Sequence, residues 1–440
     1  MRIANREISH ATVIGFGRTG RAVTSFFLSH DIQPFVSDAA SLSESDHSFL
    51  SDSGIPYEES GHTERGLVHS DLIVLSPGVD PNLALLAKAR QRGVPILSEL
   101  DLAYSVGPNL PIIAVTGTNG KSTTVRLIEA LLHRSGVAAV VAGNIGIPFI
   151  AVAEEAADDD TIILEVSSFQ LEQSALFHPQ VAVLLNLTPD HMERHRTMTA
   201  YTSAKKRLFL NQTREDIAVL PTDLAESIPD IKAQRICFDT LELPPLPSLQ
   251  ELYPHQRANL RAAITACSAI VSEFDPSCIR AEDIQQALDL PFRLRDEGWV
   301  SGIRVVNDSK STNSASTSAA LRSFGEPVVL ILGGRHKQAG YAQLAEVIAS
   351  RFVRKVVAYG EAAAFLYDTL NAAGYSRTEI YPHLEEAVLA GLASALPGDV
   401  LLFSPACASY DQYRDYLERG EAFSRLIHSQ PTFHPTHNRV

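Results

Sequence analysis

The run Gly117-Thr118-Asn119-Gly120-Lys121-Ser122-Thr123 follows the apolar stretch Pro111-Ile112-Ile113-Ala114-Val115-Thr116 and leads into the helix-like stretch Thr124–Ser135. A glycine-rich turn between a buried strand and a helix places that strand in a parallel sheet, with its carboxyl end open to a ligand. Glycines let successive backbone N–H groups converge on phosphate oxygens, and the helix N-terminus adds a favourable partial charge. Lys121 would reach the β- and γ-phosphates of a nucleotide, and the hydroxyl of Ser122 or Thr123 would ligate Mg2+. The run departs from the full G-x-x-x-x-G-K-[ST] pattern at its first glycine, so the flanking strand and helix carry the assignment. The bland alternative is a tight turn with a surface lysine.

Short β-branched runs alternate with amphipathic stretches through most of the 440 residues. The strands expected are Thr12–Gly15, Leu72–Leu75, Ile112–Thr116, Thr161–Val166, Val181–Asn186, Val328–Leu332 and Val400–Phe403; helices are expected over Arg21–Ser29, Ser122–Ser135, Ala258–Val271, Glu361–Ala373 and Glu385–Ala395. This alternation predicts an α/β chain of parallel sheets covered on both faces, and no repeat supports a solenoid. New strand-and-turn blocks open at residue 12, at residue 112 and after Leu290-Pro291-Phe292-Arg293. Leu243-Pro244-Pro245-Leu246-Pro247 is expected to be a rigid surface connection, and Glu154–Asp160 a solvated acidic loop.

Composition narrows the function. Lys and Arg total 37 against 51 Asp and Glu, a net charge of −14. That surface repels polyanions, so neither nucleic acid nor an anionic membrane is an expected partner, and any bound anion needs a local site. The four cysteines, at 237, 267, 278 and 407, form no CxxC pair, which predicts reduced thiols rather than a disulfide framework or structural zinc. Without an apolar run of ~18 residues or a signal-peptide pattern, a cytoplasmic protein is expected.

Further motifs lie at strand ends. Gly15-Phe16-Gly17-Arg18-Thr19-Gly20 with Asp38 makes a dinucleotide fingerprint, which fits NAD or another diphosphate-linked nucleotide, and Ser76-Pro77-Gly78 would add donors to the same crevice. Glu165, ahead of Val166-Ser167-Ser168, would hold Mg2+ directly or through water, or else cap the next helix. In Pro189-Asp190-His191-Met192-Glu193-Arg194-His195 the two histidines are spaced to chelate zinc on a helix, but HExxH is absent and Pro189 indicates a loop. A single histidine near Mg2+ is the better expectation. The stretch Tyr201–Phe209 reads physically as an ordinary basic helix with a solvated face. Asn307-Asp308-Ser309-Lys310, Gly333-Gly334 with Lys337, and Ser404-Pro405-Ala406-Cys407-Ala408-Ser409 put polar groups at one rim of a third sheet.

Taken together with Asn144-Ile145-Gly146, Phe169-Gln170-Leu171 and Asp190-His191-Met192, this ordered set resembles the Mur ligase family, which adds amino acids to the peptidoglycan precursor. The resemblance implies a Rossmann-like N-terminal domain (1–98) for the UDP-linked substrate, a central P-loop ATPase-type domain (99–291) and a C-terminal Rossmann-like domain (292–440) for the incoming amino acid. It implies that Gly117, Thr118, Asn119, Gly120, Lys121, Ser122, Thr123, Asn259, Arg293 and Asp308 contact ATP. Ser122, Glu165, His191 and a carbamylated Lys205 would arrange one or two Mg2+, with Lys121 also catalytic. Gly17, Arg18, Thr19, Asp38, Ser76, Gly78 and Asn144 would take the UDP substrate. Lys310, Thr312, Lys337, Ser409 and Tyr416 would surround the amino acid.

Phe169-Gln170-Leu171-Glu172 and Ser404–Ser409 with Asp411-Gln412 look like the branch that joins D-glutamate to UDP-N-acetylmuramoyl-L-alanine through an acyl phosphate. Tyr410 and Tyr416 depart from the apolar residues of that branch, and Arg335-His336 from its usual turn. A sibling ligase, a folylpolyglutamate synthase relative, an NAD-dependent dehydrogenase and a P-loop regulatory ATPase are the competing readings. A monomer is expected, since no heptad or other association signal is present.

Overall fold

The computed structural model describes residues 1–3, 6–244, 252–337 and 340–435. The chain divides into two compact units. One comprises Met1–Asn186, Thr202–Leu246 and Ala258–Arg280, and the other Leu187–Tyr201, Pro247–Arg257 and Ala281–Val440.

The first unit holds two parallel sheets and a small antiparallel pair, Arg2–Ile3 with Arg6–Glu7. Its five-stranded sheet runs Tyr57–Glu58, Gln33–Ser37, His10–Ile14, Leu72–Leu75, Ile96–Ser98. Its six-stranded sheet runs Gln234–Cys237, Ile217–Leu220, Val181–Leu184, Ile112–Thr116, Thr161–Glu165, Ala139–Gly143. Strands such as Ile112–Thr116 and Val181–Leu184 are buried at every position, as a sheet covered on both faces demands. In each sheet the chain leaves the first central strand to one side and returns to the other. The glycine turns after Ile14 and Thr116 therefore open at switch points, at the carboxyl ends where α/β sheets bind ligands.

The second unit carries a seven-stranded sheet in the order Thr378–Tyr381, Val353–Tyr359, Val328–Gly333, Val400–Ala406, Ile303–Asn307, Arg295–Val300, Phe433–His434. Only its last two pairings are antiparallel. Register sets Asn307 and Ile331 on either side of Phe403, so the loops after these three strands leave at one rim. Apolar cores fill both faces.

All seven expected strands and all five expected helices are present, with ends shifted by a few residues. Two local expectations change. Glu154 and Glu155 finish the helix Phe149–Glu155, and Glu154 accepts from Ser29 Oγ at 3.1 Å, so only the remainder of the acidic run is loop. Pro189 does lie in a loop, but Met192–His195 then makes one helical turn. Of the proline-rich connection, residues 245–247 lie outside the described residues. The four cysteines are free, and among the described residues no helix is long and apolar enough to cross a membrane.

Candidate active site

The nucleotide-type turn is built by its neighbours. Gly117 has φ +152° and Gly120 φ +91°, and a Cβ on Gly120 would lie 2.4 Å from Asn259 Oδ1. Glycine is required there because Asn259 packs against the turn. Asn186 ties the turn to the next strand: its carbonyl accepts from Thr118 N at 3.1 Å, its Oδ1 from Asn119 N at 2.9 Å, and its Nδ2 donates to Asn119 O at 3.0 Å. Lys121 Nζ donates back to Gly117 O at 2.9 Å and Thr118 O at 3.0 Å.

At the N-terminus of helix Lys121–Arg134, Ser122 Oγ donates to Glu165 Oε2 at 2.6 Å, and Asn144 Nδ2 donates to Glu165 Oε1 at 2.8 Å. Glu165 is therefore not the cap of the following helix. Ser167 does that, accepting from Gln170 N while Gln170 Oε1 accepts from Ser167 N, a reciprocal capping box. The strand-end carboxylate is left facing the turn.

Lys205 overturns the solvated-face reading of its helix. It is 1% exposed, and Nζ donates to Gly117 O at 2.9 Å and Thr116 Oγ1 at 3.3 Å. Adjacent Lys206 is half-buried, 3.9 Å from Asp230. A buried ammonium is costly unless bonded, so this placement marks Lys205 as built into the turn.

The glycine turn of the five-stranded sheet is equally tight. Ser76 Oγ donates to Gly15 O at 2.7 Å, and a Cβ on Gly20 would lie 2.0 Å from that carbonyl. Asp38 Oδ2 accepts from Phe16 N at 2.5 Å and Oδ1 from Ala40 N at 2.8 Å, so this carboxylate braces the turn. Arg18 donates to Gly146 O at 2.8 Å and Asn144 O at 2.9 Å. Gly17 and Gly78 have open space where a Cβ would point.

In the second unit, Asp190 collects Lys337 Nζ at 3.0 Å and Asn313 Nδ2 at 3.1 Å. His191 sits in the left-handed region (φ +56°), with Nδ1 3.3 Å from Glu193 Oε1 and Nε2 3.6 Å from Asp190 Oδ2. His195 is buried with its ring centroid 5.2 Å from that of Tyr201, so the two histidines do not form a chelate. Asp308 is fully buried. It accepts from Ser404 Oγ at 2.7 Å and Leu294 N at 3.1 Å. Burial pushes its carboxyl up to about 6, against the Ser311 and Ser404 hydroxyls, the Arg293 charge and the Leu294 N–H, which hold it down. Arg293 Nε is buried without a hydrogen-bond partner among the described residues, the kind of donor a ligand satisfies.

Lys310 Nζ lies 4.0 Å from the Tyr416 ring centroid, a cation–π contact. Thr312 N donates to Lys310 O at 3.0 Å, and the Ser409 carbonyl accepts from Tyr413 N at 2.9 Å. Tyr410 is 65% exposed. Arg335 pairs by backbone with Ala408, its N donating to Ala408 O at 2.8 Å, while Nε meets Glu361 at 3.0 Å.

Sequence reasoning missed Arg419. It is 0% exposed, and its guanidinium donates to Ser309 Oγ at 3.1 Å, Ser309 O at 2.9 Å and Cys407 O at 2.9 Å. It thereby ties together two of the rim loops. The available signal was spacing: Arg419, Phe423 and Ile427 fall at i, i+4 and i+8, which puts the arginine on the buried stripe of helix Tyr416–His428.

Among the described residues no group of three or more His, Cys, Asp or Glu side chains is placed to hold a metal. The ATP set expected from sequence divides between the units, with Gly117–Thr123 and Asn259 in one and Arg293 and Asp308 in the other.

Comparison with known proteins finds three matching segments. Residues 10–85 match the MurD N-terminal domain, 115–239 the Mur ligase middle domain, and 292–407 the Mur ligase glutamate ligase domain. The chain is 35% identical over 451 residues to the UDP-N-acetylmuramoylalanine–D-glutamate ligase of Pelotomaculum thermopropionicum, covering 94% of this chain and 96% of that one. It is 36% identical over 457 residues to the same-named enzyme of Salinibacter ruber, covering 95% and 97%. In fold it is similar to the UDP-N-acetylmuramate-alanine ligase of Thermotoga maritima, with TM-score 0.56, 19% identity and coverage of 96% and 99%. It is also similar to the MurF ligase of Thermotoga maritima in complex with ADP, with TM-score 0.57, 15% identity and coverage of 89% and 93%.

Proposed function

The chain belongs to the Mur ligase family, and from that premise we propose that it joins D-glutamate to UDP-N-acetylmuramoyl-L-alanine at the expense of ATP, during synthesis of the peptidoglycan precursor. One observation carries the reading furthest. In a chain that matches D-glutamate-adding ligases over nearly its whole length, Ser122 Oγ and the Glu165 carboxylate meet at the mouth of a phosphate-type turn. Residues 1–98 take the UDP moiety, 99–291 the ATP and 292–440 the D-glutamate.

A carboxylate resists attack by an amine because its leaving group would be oxide. Phosphoryl transfer from ATP gives an acyl phosphate, and the D-glutamate amine then expels phosphate to form the amide. Lys121 and the N–H groups of its turn bind the phosphates and neutralise charge on the transferred group. Arg293 and Asp308 add nucleotide contacts. Lys310, Thr312, Lys337, Ser409 and Tyr416 orient the D-glutamate. In the structure Lys337 is paired with Asp190, so binding a substrate carboxylate there exchanges one partner for another.

The residues present fit Mg2+. A serine hydroxyl and a carboxylate are hard oxygen donors, and Mg2+ commonly takes one or two protein oxygens with phosphates and waters completing its shell. When bound, it would neutralise phosphate charge. Glu165 and Ser122 would hold it, with His191 assigned to the same task by family resemblance. Lys205 would contribute as its carbamate: its free amine would add CO2, forming an N–C bond and releasing one proton, to supply an anionic oxygen donor that keeps one N–H. That N–H is enough to retain the bond to Gly117 O.

The deciding assay is phosphate release from ATP and Mg2+ with UDP-N-acetylmuramoyl-L-alanine, comparing D-glutamate with L-alanine, L-lysine and diaminopimelate. Release dependent on D-glutamate, with the matching mass gain on the UDP product, is expected. Release with another amino acid would move the chain to a sibling activity. For Lys205, protein equilibrated with 13CO2 is expected to show a carbamate carbon resonance that vanishes in Lys205→Met. That variant should keep its fold and lose about 100-fold or more in kcat. A spectrum identical in parent and variant would remove the carbamate from the mechanism.

A further inference from the structure

Residues 144–150 run from the end of strand Ala139–Gly143 into the first turn of helix Phe149–Glu155, and three separate parts of the first unit hold them. Arg18, from the glycine turn of the five-stranded sheet, donates to the carbonyls of Asn144 and Gly146. Glu165 receives the Asn144 side chain at 2.8 Å, while its backbone carbonyl takes Asn144 N, also at 2.8 Å. Glu99 is the third anchor. It opens helix Glu99–Val106, is buried, and its Oε1 accepts from Ile150 N at 2.9 Å.

Helix Phe149–Glu155 has Pro148 as its N-cap residue, with no side-chain cap of its own. A serine or aspartate at that position would cap it locally. Instead a carboxylate 51 residues away does so from inside the protein, where an ionised group is costly to desolvate. Burial pushes the Glu99 carboxyl up to about 7, against the N–H groups of Ile150 and Phe149 and the Arg18 charge. Capping alone does not require so expensive a group. What Glu99 adds is a fixed position for the segment whose other end carries Asn144.

We infer that Glu99 is a positioning residue for the ligase reaction: by fixing residues 144–150 it lets Asn144 hold the Glu165 carboxylate in the orientation that Mg2+-nucleotide binding needs. This rests on the reading of Glu165 as a Mg2+ ligand. The route is Glu99 to Ile150, along the segment to Asn144, and from its amide to Glu165 beside Ser122. Small displacements of a group near reacting phosphates have large effects, so an anchor this far away acts measurably.

The test is calorimetric titration of ADP into the full chain, with and without Mg2+, together with thermal unfolding. In the parent, Mg2+ tightens ADP binding. Glu165→Ala is expected to abolish that tightening. Glu99→Ala should lose about tenfold of it, with the metal-free affinity for ADP unchanged, and Glu99→Gln, which preserves volume and one accepting oxygen, about threefold. Adding Asn144→Ala to Glu99→Ala should cost little more, since both act through one chain of contacts. A purely structural Glu99 would lower the unfolding temperature and leave the Mg2+ linkage in place. If both Glu99 variants keep the parent linkage within 1.5-fold while Glu165→Ala loses it, the inference is overturned and the metal reading stands. If Glu165→Ala also keeps it, both fall. Should Glu99→Ala fail to fold, Glu99→Gln decides alone on the same threshold.

Discussion

Replacing Lys121 with alanine is expected to lower kcat by about 10³-fold while the unfolding temperature moves little. The ammonium bonds the carbonyls of Gly117 and Thr118 at the mouth of the turn, so removing it deletes charge where phosphate oxygens would lie and breaks no core packing. A single preorganised donor aimed at developing charge is worth about 10²–10³ in rate, and a full positive charge at the transferred phosphoryl group lies at the top of that range. Lys121→Arg is not a rescue, because the planar guanidinium presents its charge as a rigid fork and not as the compact point charge of an ammonium. Steady-state phosphate release on matched, folded preparations measures the effect. A Lys121→Ala enzyme within tenfold of the parent would remove this lysine from the chemistry.

The second large effect is on stability. Arg419→Met keeps most of the side-chain volume but strips the donors from Ser309 O and Cys407 O inside the protein. Losing a charged donor and leaving buried neutral acceptors unpaired costs about 1–3 kcal/mol per group, which denaturant unfolding will register as a lower midpoint at unchanged slope. The arginine joins the loop that carries Lys310 to the one that carries Ser409, so the KM for D-glutamate should rise at least tenfold while that for ATP stays within threefold. An equal rise in both would mean that Arg419 supports the unit as a whole rather than the amino-acid pocket.

The two effects differ in how they could be seen from sequence. Lys121 stands in a run whose glycines, hydroxyls and flanking strand all point the same way, and the structure gives the turn the expected strand, helix and positive-φ glycines. Strand and helix positions were legible for the same reason: parallel strands buried on both faces are continuous apolar runs, and helices between them are long enough to show their period. Lys205 was invisible to physical reasoning, since a lysine flanked by Lys206 and Arg207 reads as surface until the fold buries one of the three. Glu99 carried no signal, because its partner lies 51 residues away and only tertiary structure brings them together. Arg419 lay between these cases, hidden by its charge and betrayed by its spacing. Of the Glu165 alternatives, the helix cap was removed by a neighbour: Ser167 and Gln170 make that cap, so the carboxylate does not.

That capping box has a consequence for anyone redesigning this chain. The stretch from Glu165 to Gln170 looks like one unit of function, yet its members answer to different demands. Ser167 and Gln170 serve the start of a six-residue helix, so threonine or aspartate at the first and glutamate at the second are permitted vocabulary. On the proposed reading Glu165 answers to Mg2+ instead, and a shorter or uncharged side chain would be no synonym for it. A library built across these positions should therefore be free at the cap and closed at the carboxylate.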